Sequence, residues 1–269
     1  MLNIPPYVLL HKAVGQTPLE VLELWRQTKP ELKNTPLAYA GRLDPMAEGV
    51  LLVLIGDECK KQTEYHHLDK EYEFEVLFGL ASDSGDVLGL INENGDKIVT
   101  TEKITDILAN LIGTIELPYP IFSSKTVQGK PLHTWTMEKR LAEINIPTKK
   151  SEIFSLELID LKTLNRKEIY TIASEKIETI PPVTDLRKAL GNDFRRPEVR
   201  KSWQNFLASG CETDLFTIAK IRCLSSSGTY MRTLAEVIAK KLSSEGLAFS
   251  IKRTKIGIYK KDQGWGRSF

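Results

Sequence analysis

The chain has 269 residues, 41% hydrophobic and 27% charged, with 17 glycines and 13 prolines. This composition excludes collagenous, low-complexity and disordered classes and allows a substantial core. The formal net charge of +2 conceals an uneven spread, since residues 71–115 hold 2 basic and 9 acidic side chains whereas residues 216–269 hold 11 and 3. The longest wholly apolar run, Val50 to Ile55, is about a third of a membrane span, and Met1 to Leu10 carries no cationic leader. A cytoplasmic protein without membrane contact is therefore expected. Three cysteines (Cys59, Cys211, Cys223) without C-x-x-C spacing and four histidines argue against a disulfide framework and against a metal site.

Tyr7 to His11 reads as a short apolar strand. Thr17-Pro18-Leu19-Glu20 has the form of a capping box with proline at the first helical position, and it opens a helix whose Leu19, Leu22 and Trp25 share a face. After Lys29-Pro30, a polar stretch leads through Tyr39 to Gly41-Arg-Leu-Asp-Pro-Met-Ala-Glu-Gly49 and straight into the apolar strand Val50 to Ile55. A charged segment between two glycines and against a buried strand is expected to be a shaped loop. From Lys70 to Phe78, Tyr72, Phe74 and Val76 alternate with Glu71, Glu73 and Glu75, the pattern of a half-buried strand. Residues 81–95 are turn-rich, Thr101 to Leu111 reads as a helix, and Ile153 to Leu164 with Lys167 to Ile177 read as a hairpin turning at Asn165. A further helix is expected from Val199 to Leu207, and strand periodicity returns from Leu215 to Cys223. Ser225 to Arg232 then reads as a small-residue turn before a helix reaching Leu242, with Thr229 as its cap, and Ala248 to Tyr259 closes the pattern as a strand. Long antiparallel-type strands with interspersed helices indicate an α+β fold.

Asp44 admits two readings. It is either a turn residue capping backbone amides ahead of Pro45, or a carboxylate held partly out of water. Glu48 could pair with it for acid–base work, yet Pro45 and Gly49 disfavour a regular helix across these positions. Ser225 to Arg232 is likewise either a plain helix start or a site presenting Tyr230 and Arg232 to an anion or substrate. Neither a nucleoside-triphosphate loop nor a dinucleotide fingerprint is present in the sequence. Lys252, Arg253, Lys255, Lys260, Lys261 and Arg267, mixed with Tyr259 and Trp265, suit a polyanion or a solvated face.

Four segments in order, G-R-L-D-P-M-A-E-G at Gly41, K-E-Y-E-F at Lys70, S-S-K at Ser123 and S-S-S-G-T-Y-M-R at Ser225, resemble the TruB family of tRNA pseudouridine synthases. The resemblance implies a pseudouridine synthase fold with a mixed, largely antiparallel sheet flanked by helices around a central catalytic cleft. It implies isomerisation of the T-loop uridine of tRNA to pseudouridine without a cofactor. On that analogy Asp44 is the catalytic carboxylate, Arg232 pairs with it and keeps it charged and oriented, and Tyr72 stacks on the target base. Tyr230 helps close the pocket, and Ile256 forms an apolar wall beneath the base. Lys12 belongs to an N-terminal turn in which Ala13 replaces the family's proline, and Tyr39 stands where bacterial members carry a histidine, so the role of filling the vacated stack falls to it.

Three departures from the family pattern accompany these matches. Arg42 gives the G-R-L-D form typical of synthases acting on ribosomal RNA, which makes that substrate the alternative, with a non-catalytic RNA chaperone as a further one. The chain ends about ten residues beyond Tyr259, so no C-terminal PUA domain is expected, and residues 1–269 are read as a single catalytic domain acting as a monomer on the tRNA T-arm stem-loop. Residues 165–213 read as an insertion whose Arg195, Arg196, Arg200 and Lys201 are either an added RNA contact or a solvated helix face.

Overall fold

The computed structural model describes residues 5–183 and 193–269, so the middle of the expected insertion lies outside the described residues. Its centre is a nine-stranded sheet. The main path runs β1 (Tyr7–Lys12), β3 (Ala47–Ile55), β12 (Gly246–Lys260), β4 (Asp69–Phe78), β11 (Leu215–Ser225), β10 (Thr148–Asn165) and β7 (Gly113–Pro118). Two further strands, β2 (Leu37–Ala40) and β13 (Gly264–Ser268), pair with β3 and β12. Among the described pairs only β3 with β12 is parallel. Two small hairpins lie off the sheet, one of β5 (Leu80–Ser82) with β6 (Ile91–Glu93), the other of β8 (Thr126–Val127) with β9 (Lys130–Pro131). The α+β architecture and its mixed, largely antiparallel sheet are as expected.

Seven α-helices are described: α1 (Pro18–Gln27), α2 (Gln62–His66), α3 (Thr101–Ala109), α4 (Leu132–Met137), α5 (Arg166–Thr179), α6 (Arg196–Ala208) and α7 (Met231–Lys241). None is long and apolar enough to cross a membrane. The capping box of α1 forms as read, with Thr17 Oγ1 accepting from the Glu20 amide at 3.1 Å and Glu20 Oε2 accepting from the Thr17 amide at 3.3 Å. Its inward face differs from the expectation, because Val21 and Leu22 are buried while Leu19 is exposed.

The expected hairpin at Asn165 is instead a strand followed by a helix. Asn165 caps α5, accepting from the Glu168 amide at 2.9 Å while the Glu168 carboxylate accepts from the Asn165 amide at 2.8 Å. Ile169, Ala173 and Ile177 then recur every four residues and are all buried, a helical stripe that the interleaved Tyr170 and Ile172 disguise as alternation. The first residue of the helix is anchored as well, since the Arg166 guanidinium is 1% exposed, donates to both Glu93 oxygens at 2.8 Å, and stacks 4.5 Å from the Phe206 ring.

Alternation along β4 assigns its two faces. Phe74, Val76 and Phe78 enter the main core, where α7 lays Leu234, Ala235, Ile238 and Ala239. Opposite them, the strand glutamates meet cations from neighbouring strands, Glu73 pairing with Lys220 at 2.9 Å and Arg222 at 3.1 Å, and Glu75 with Lys162 at 2.9 Å. Burial of apolar area drives the first face, while these half-exposed pairs add little stability and mainly discriminate register.

Candidate active site

Asp44 lies in a turn closed by the Ala47 amide donating to its carbonyl at 3.0 Å, immediately before β3. Glycines bracket the turn for steric reasons. Gly41 and Gly49 adopt φ of +78° and +113°, and a Cβ at Gly49 would lie 2.1 Å from the Arg253 carbonyl oxygen across the parallel β3–β12 pairing. Arg253 is 1% exposed and ties both ends of the loop together, donating from Nε to the Val50 carbonyl at 2.7 Å and from Nη2 to the Gly41 carbonyl at 3.1 Å.

Lys12 secures the middle of the loop. Its buried ammonium donates to the Ala47 carbonyl at 2.6 Å and the Pro45 carbonyl at 3.4 Å, and the Gly15 amide adds a bond to Pro45 at 2.9 Å. Burial lowers the Lys12 pKa to about 8, against the opposing pull of Asp44. Lys70 sits at the other side of Gly41, its ammonium held by the carbonyls of Leu68 and His66, and burial lowers its pKa to about 8.

Arg232, on the first turn of α7, meets the loop from the opposite side. Its Nε lies 2.9 Å from Asp44 Oδ2, a contact of opposite charges without an aligned hydrogen bond; the arginine side chain is 5% exposed and the aspartate 39%. The guanidinium is held from behind, donating to the Ser84 carbonyl at 2.9 Å and the Phe122 carbonyl at 3.3 Å. A second carboxylate, Asp86, stands 3.7 Å from Nε and is itself fixed by the Ser84 hydroxyl at 2.6 Å and the Leu88 amide at 2.9 Å. Burial raises the Asp86 pKa, with Arg232 opposing. For Arg232, burial acts to lower the pKa, but Asp44 and Asp86 outweigh it and the value is raised, so the guanidinium stays charged.

Two tyrosines complete the cluster. Tyr72 is half-buried on β4, in register with Arg253, and burial raises its pKa against the opposing charge and hydrogen bond of that arginine. Tyr230 precedes α7, its ring centroid 5.4 Å from that of Tyr119, and its pKa is pushed up to about 12 by burial. The field of Asp44 reaches both hydroxyls. Tyr230 rather than Thr229 occupies the cap position of α7, and Thr229 instead donates to the Ser226 carbonyl at 3.1 Å.

Asp44, Arg232, Tyr72, Tyr230 and Lys12 thus come together around one accessible carboxylate. Two expected residues lie elsewhere. Tyr39 packs with Val21, Leu22, Leu51 and Val53 beneath α1, and Ile256 is fully buried with Ala40, Leu52, Leu54, Tyr65 and Leu68. On β12, Leu247, Ala248, Phe249 and Ile251 share a cluster with Tyr72, Leu43 and Met46, whereas Ile256 does not. Sequence reasoning also missed Asp86, one carboxylate among nine in an acidic stretch, and the clamp formed by Arg253, which stands in a run of exposed cations.

The chain as a whole is similar to known proteins. Residues 29–176, more than half of the chain, match the model of the N-terminal domain of TruB family pseudouridylate synthases. The chain belongs to the TruB family. It is 29% identical over 252 residues to tRNA pseudouridine synthase B of Caldicellulosiruptor saccharolyticus, covering 94% of this chain and 67% of that one. Against tRNA pseudouridine synthase 4 of Saccharomyces cerevisiae it is 28% identical over 238 residues, covering 80% and 59%. The synthase B of Caldanaerobacter subterraneus is 35% identical over 149 residues, or 55% of this chain and 50% of that one. The chain thus spans between half and about two thirds of the length of these relatives. In fold it resembles a chain of a Cbf5–Nop10–Gar1 complex, with a TM-score of 0.54 at 16% identity, over 93% of this chain and 48% of that one.

Proposed function

We propose that this protein is a tRNA pseudouridine synthase that isomerises the T-loop uridine in the cytoplasm. The observation that carries the reading is the Asp44–Arg232 pair, an exposed carboxylate oriented by a buried, doubly tethered guanidinium at 2.9 Å. In the reaction the C1′–N1 bond of uridine breaks, the base turns, C1′ bonds to C5, the C5 hydrogen leaves as a proton, and N1, freed from the sugar, takes up a proton. Atoms are exchanged within one nucleotide without net oxidation, so the chemistry calls for a carboxylate and a closed pocket.

The base must first leave its stack, which costs a few kcal/mol of unstacking (about that order). Tyr72 then offers a stacking face and Tyr230 closes the pocket, while Ile251 rather than the fully buried Ile256 supplies apolar surface beside Tyr72. Tyr39 fills the vacated position in the RNA only after leaving its contacts beneath α1. Asp44, Arg232, Tyr72 and Tyr230 come from a turn, a helix and a strand of one chain, the strand being part of the central sheet and the helix packed on its core, which supports a single catalytic domain working as a monomer on the T-arm.

Asp44→Asn tests the reading. Release of tritium from 5-tritiated uridine in tRNA falls at least about a thousandfold, in line with loss of the group that acts on the reacting atoms, while RNA binding is retained. Activity within tenfold of the parent protein removes Asp44 from the chemistry. Turnover on a ribosomal fragment but not on tRNA favours the alternative suggested by Arg42, and binding without turnover by the parent protein favours a chaperone.

A further inference from the structure

The TruB match ends at residue 176, so α6 lies beyond it. This helix and the turn before it grip one loop, residues 83–90, that connects β5 to β6. Arg195 donates to both oxygens of Asp83, at 2.6 and 2.9 Å. Trp203, fully buried, donates from its indole to the Val87 carbonyl at 2.9 Å, and the Ser202 hydroxyl accepts from the Ile91 amide at 2.8 Å. The opposite side of the same loop holds Arg232, through the Ser84 carbonyl and the Asp86 carboxylate.

Arg195 also reaches the second support of that arginine. Its guanidinium lies 4.3 Å from the Phe122 ring centroid, and the Phe122 carbonyl accepts from Arg232 at 3.3 Å. Arg195 is 16% exposed and adopts a left-handed φ of +66°, a conformation that costs an arginine about 1–2 kcal/mol and persists only where its contacts offset it. Neither feature suits a side chain kept free for phosphate.

We propose that α6 and its preceding turn brace the active site, with Arg195 as a positioning residue that holds the two loops whose carbonyls orient Arg232 toward Asp44. The proposal rests on the synthase reading above. It assigns the segment a structural part in turnover in place of an RNA contact. A displacement of about 1 Å at a catalytic group costs on the order of a hundredfold in rate, so partial release of these loops reaches kcat while leaving RNA affinity in place.

The test compares Arg195→Ala, Asp83→Ala, their double mutant, Arg195→Lys, and the exchanged pair Arg195→Asp with Asp83→Arg. Single-turnover rates at saturating tRNA are read beside RNA affinity at several salt concentrations. Each alanine variant loses about tenfold or more in rate with affinity within about threefold, the double is no worse than either single, and the lysine and exchanged variants recover part of the loss. Rates equal to the parent protein overturn the proposal. So does weakened affinity with a shallower salt slope, which marks Arg195 as a phosphate ligand. Amide exchange on the RNA-free protein separates this proposal from the activity assignment: Arg195→Ala speeds exchange in residues 83–90 and 121–123, and unchanged exchange refutes the brace even if the parent protein modifies no uridine.

Discussion

Replacing Arg232 by lysine keeps the charge beside Asp44 and removes the geometry. The guanidinium now spans three partners at once, with Nε 2.9 Å from Asp44 and the terminal nitrogens 2.9 Å from the Ser84 carbonyl and 3.3 Å from that of Phe122. A single ammonium at the end of a flexible stem can satisfy one of these sides but cannot bridge them as a planar fork does. Hydrogen bonds involving a charged group contribute about 1.5–3 kcal/mol each, so losing one and misaligning the ion pair removes roughly 3 kcal/mol of transition-state stabilisation, on the order of a hundredfold in rate. Arg232→Met goes further, leaving Asp44 and the buried Asp86 without their cation, and breaking such a pair costs about 3–5 kcal/mol. Single-turnover tritium release at saturating tRNA measures both, with circular dichroism and thermal melting to confirm folding. The order parent, lysine, methionine is expected in rate, with RNA affinity nearly constant for the lysine variant. A lysine variant within threefold of the parent protein would refute the view that orientation, beyond charge, is what Arg232 contributes.

Gly49→Ala places a methyl 2.1 Å from the Arg253 carbonyl at a φ of +113°, so soluble expression and melting temperature fall sharply; an unchanged melting curve contradicts the close β3–β12 approach. Lys70 and Lys176 have folded pKa values lowered to about 8 by burial, against an ordinary 10.5. Between those values the unfolded chain holds more protons than the folded one, so raising pH from 8 toward 9.5 stabilises the protein through these groups by up to about 1.4 kcal/mol per pH unit for each. Urea midpoints that fall over this range speak against buried, strained ammonium groups. RNA binding should weaken steeply with salt, because Lys252, Lys255, Lys260 and Lys261 are exposed at the basic end of the chain, each neutralised phosphate adding about −0.9 to the log–log slope on duplex. A flat salt dependence indicates a ligand other than a polyanion.

Features set by neighbours along the chain were legible before the fold was known. Thr17, Pro18 and Glu20 lie within four residues, and their capping box needs nothing distant to form. The alternation of Tyr72, Phe74 and Val76 with three glutamates likewise specified a two-faced strand. The Gly41–Gly49 loop and the Ser225–Arg232 turn were conspicuous as unusual local chemistry, and they supplied Asp44 and Arg232, 188 positions apart, that the fold brings within 2.9 Å. At Asn165 local signals conflicted, since short-range alternation masked a capping box and an i, i+4 apolar stripe that only burial against the main core distinguishes.

What the tertiary structure decided is which charges are shared. Arg253 reads in sequence as one of a run of cations, yet its register opposite Gly49 and Tyr72 buries it and makes it the clamp on the Asp44 loop. Arg195 admitted an RNA contact or a solvated face in sequence, and the fold pairs it with Asp83 across 112 positions. Asp86 is indistinguishable from its acidic neighbours until α7 delivers Arg232 beside it. Residue type and spacing encode local conformation and the need to bury a face. The partner of a buried charge depends on strand register and loop packing, which arise from the whole chain's burial of apolar surface and leave no mark at the charged position itself.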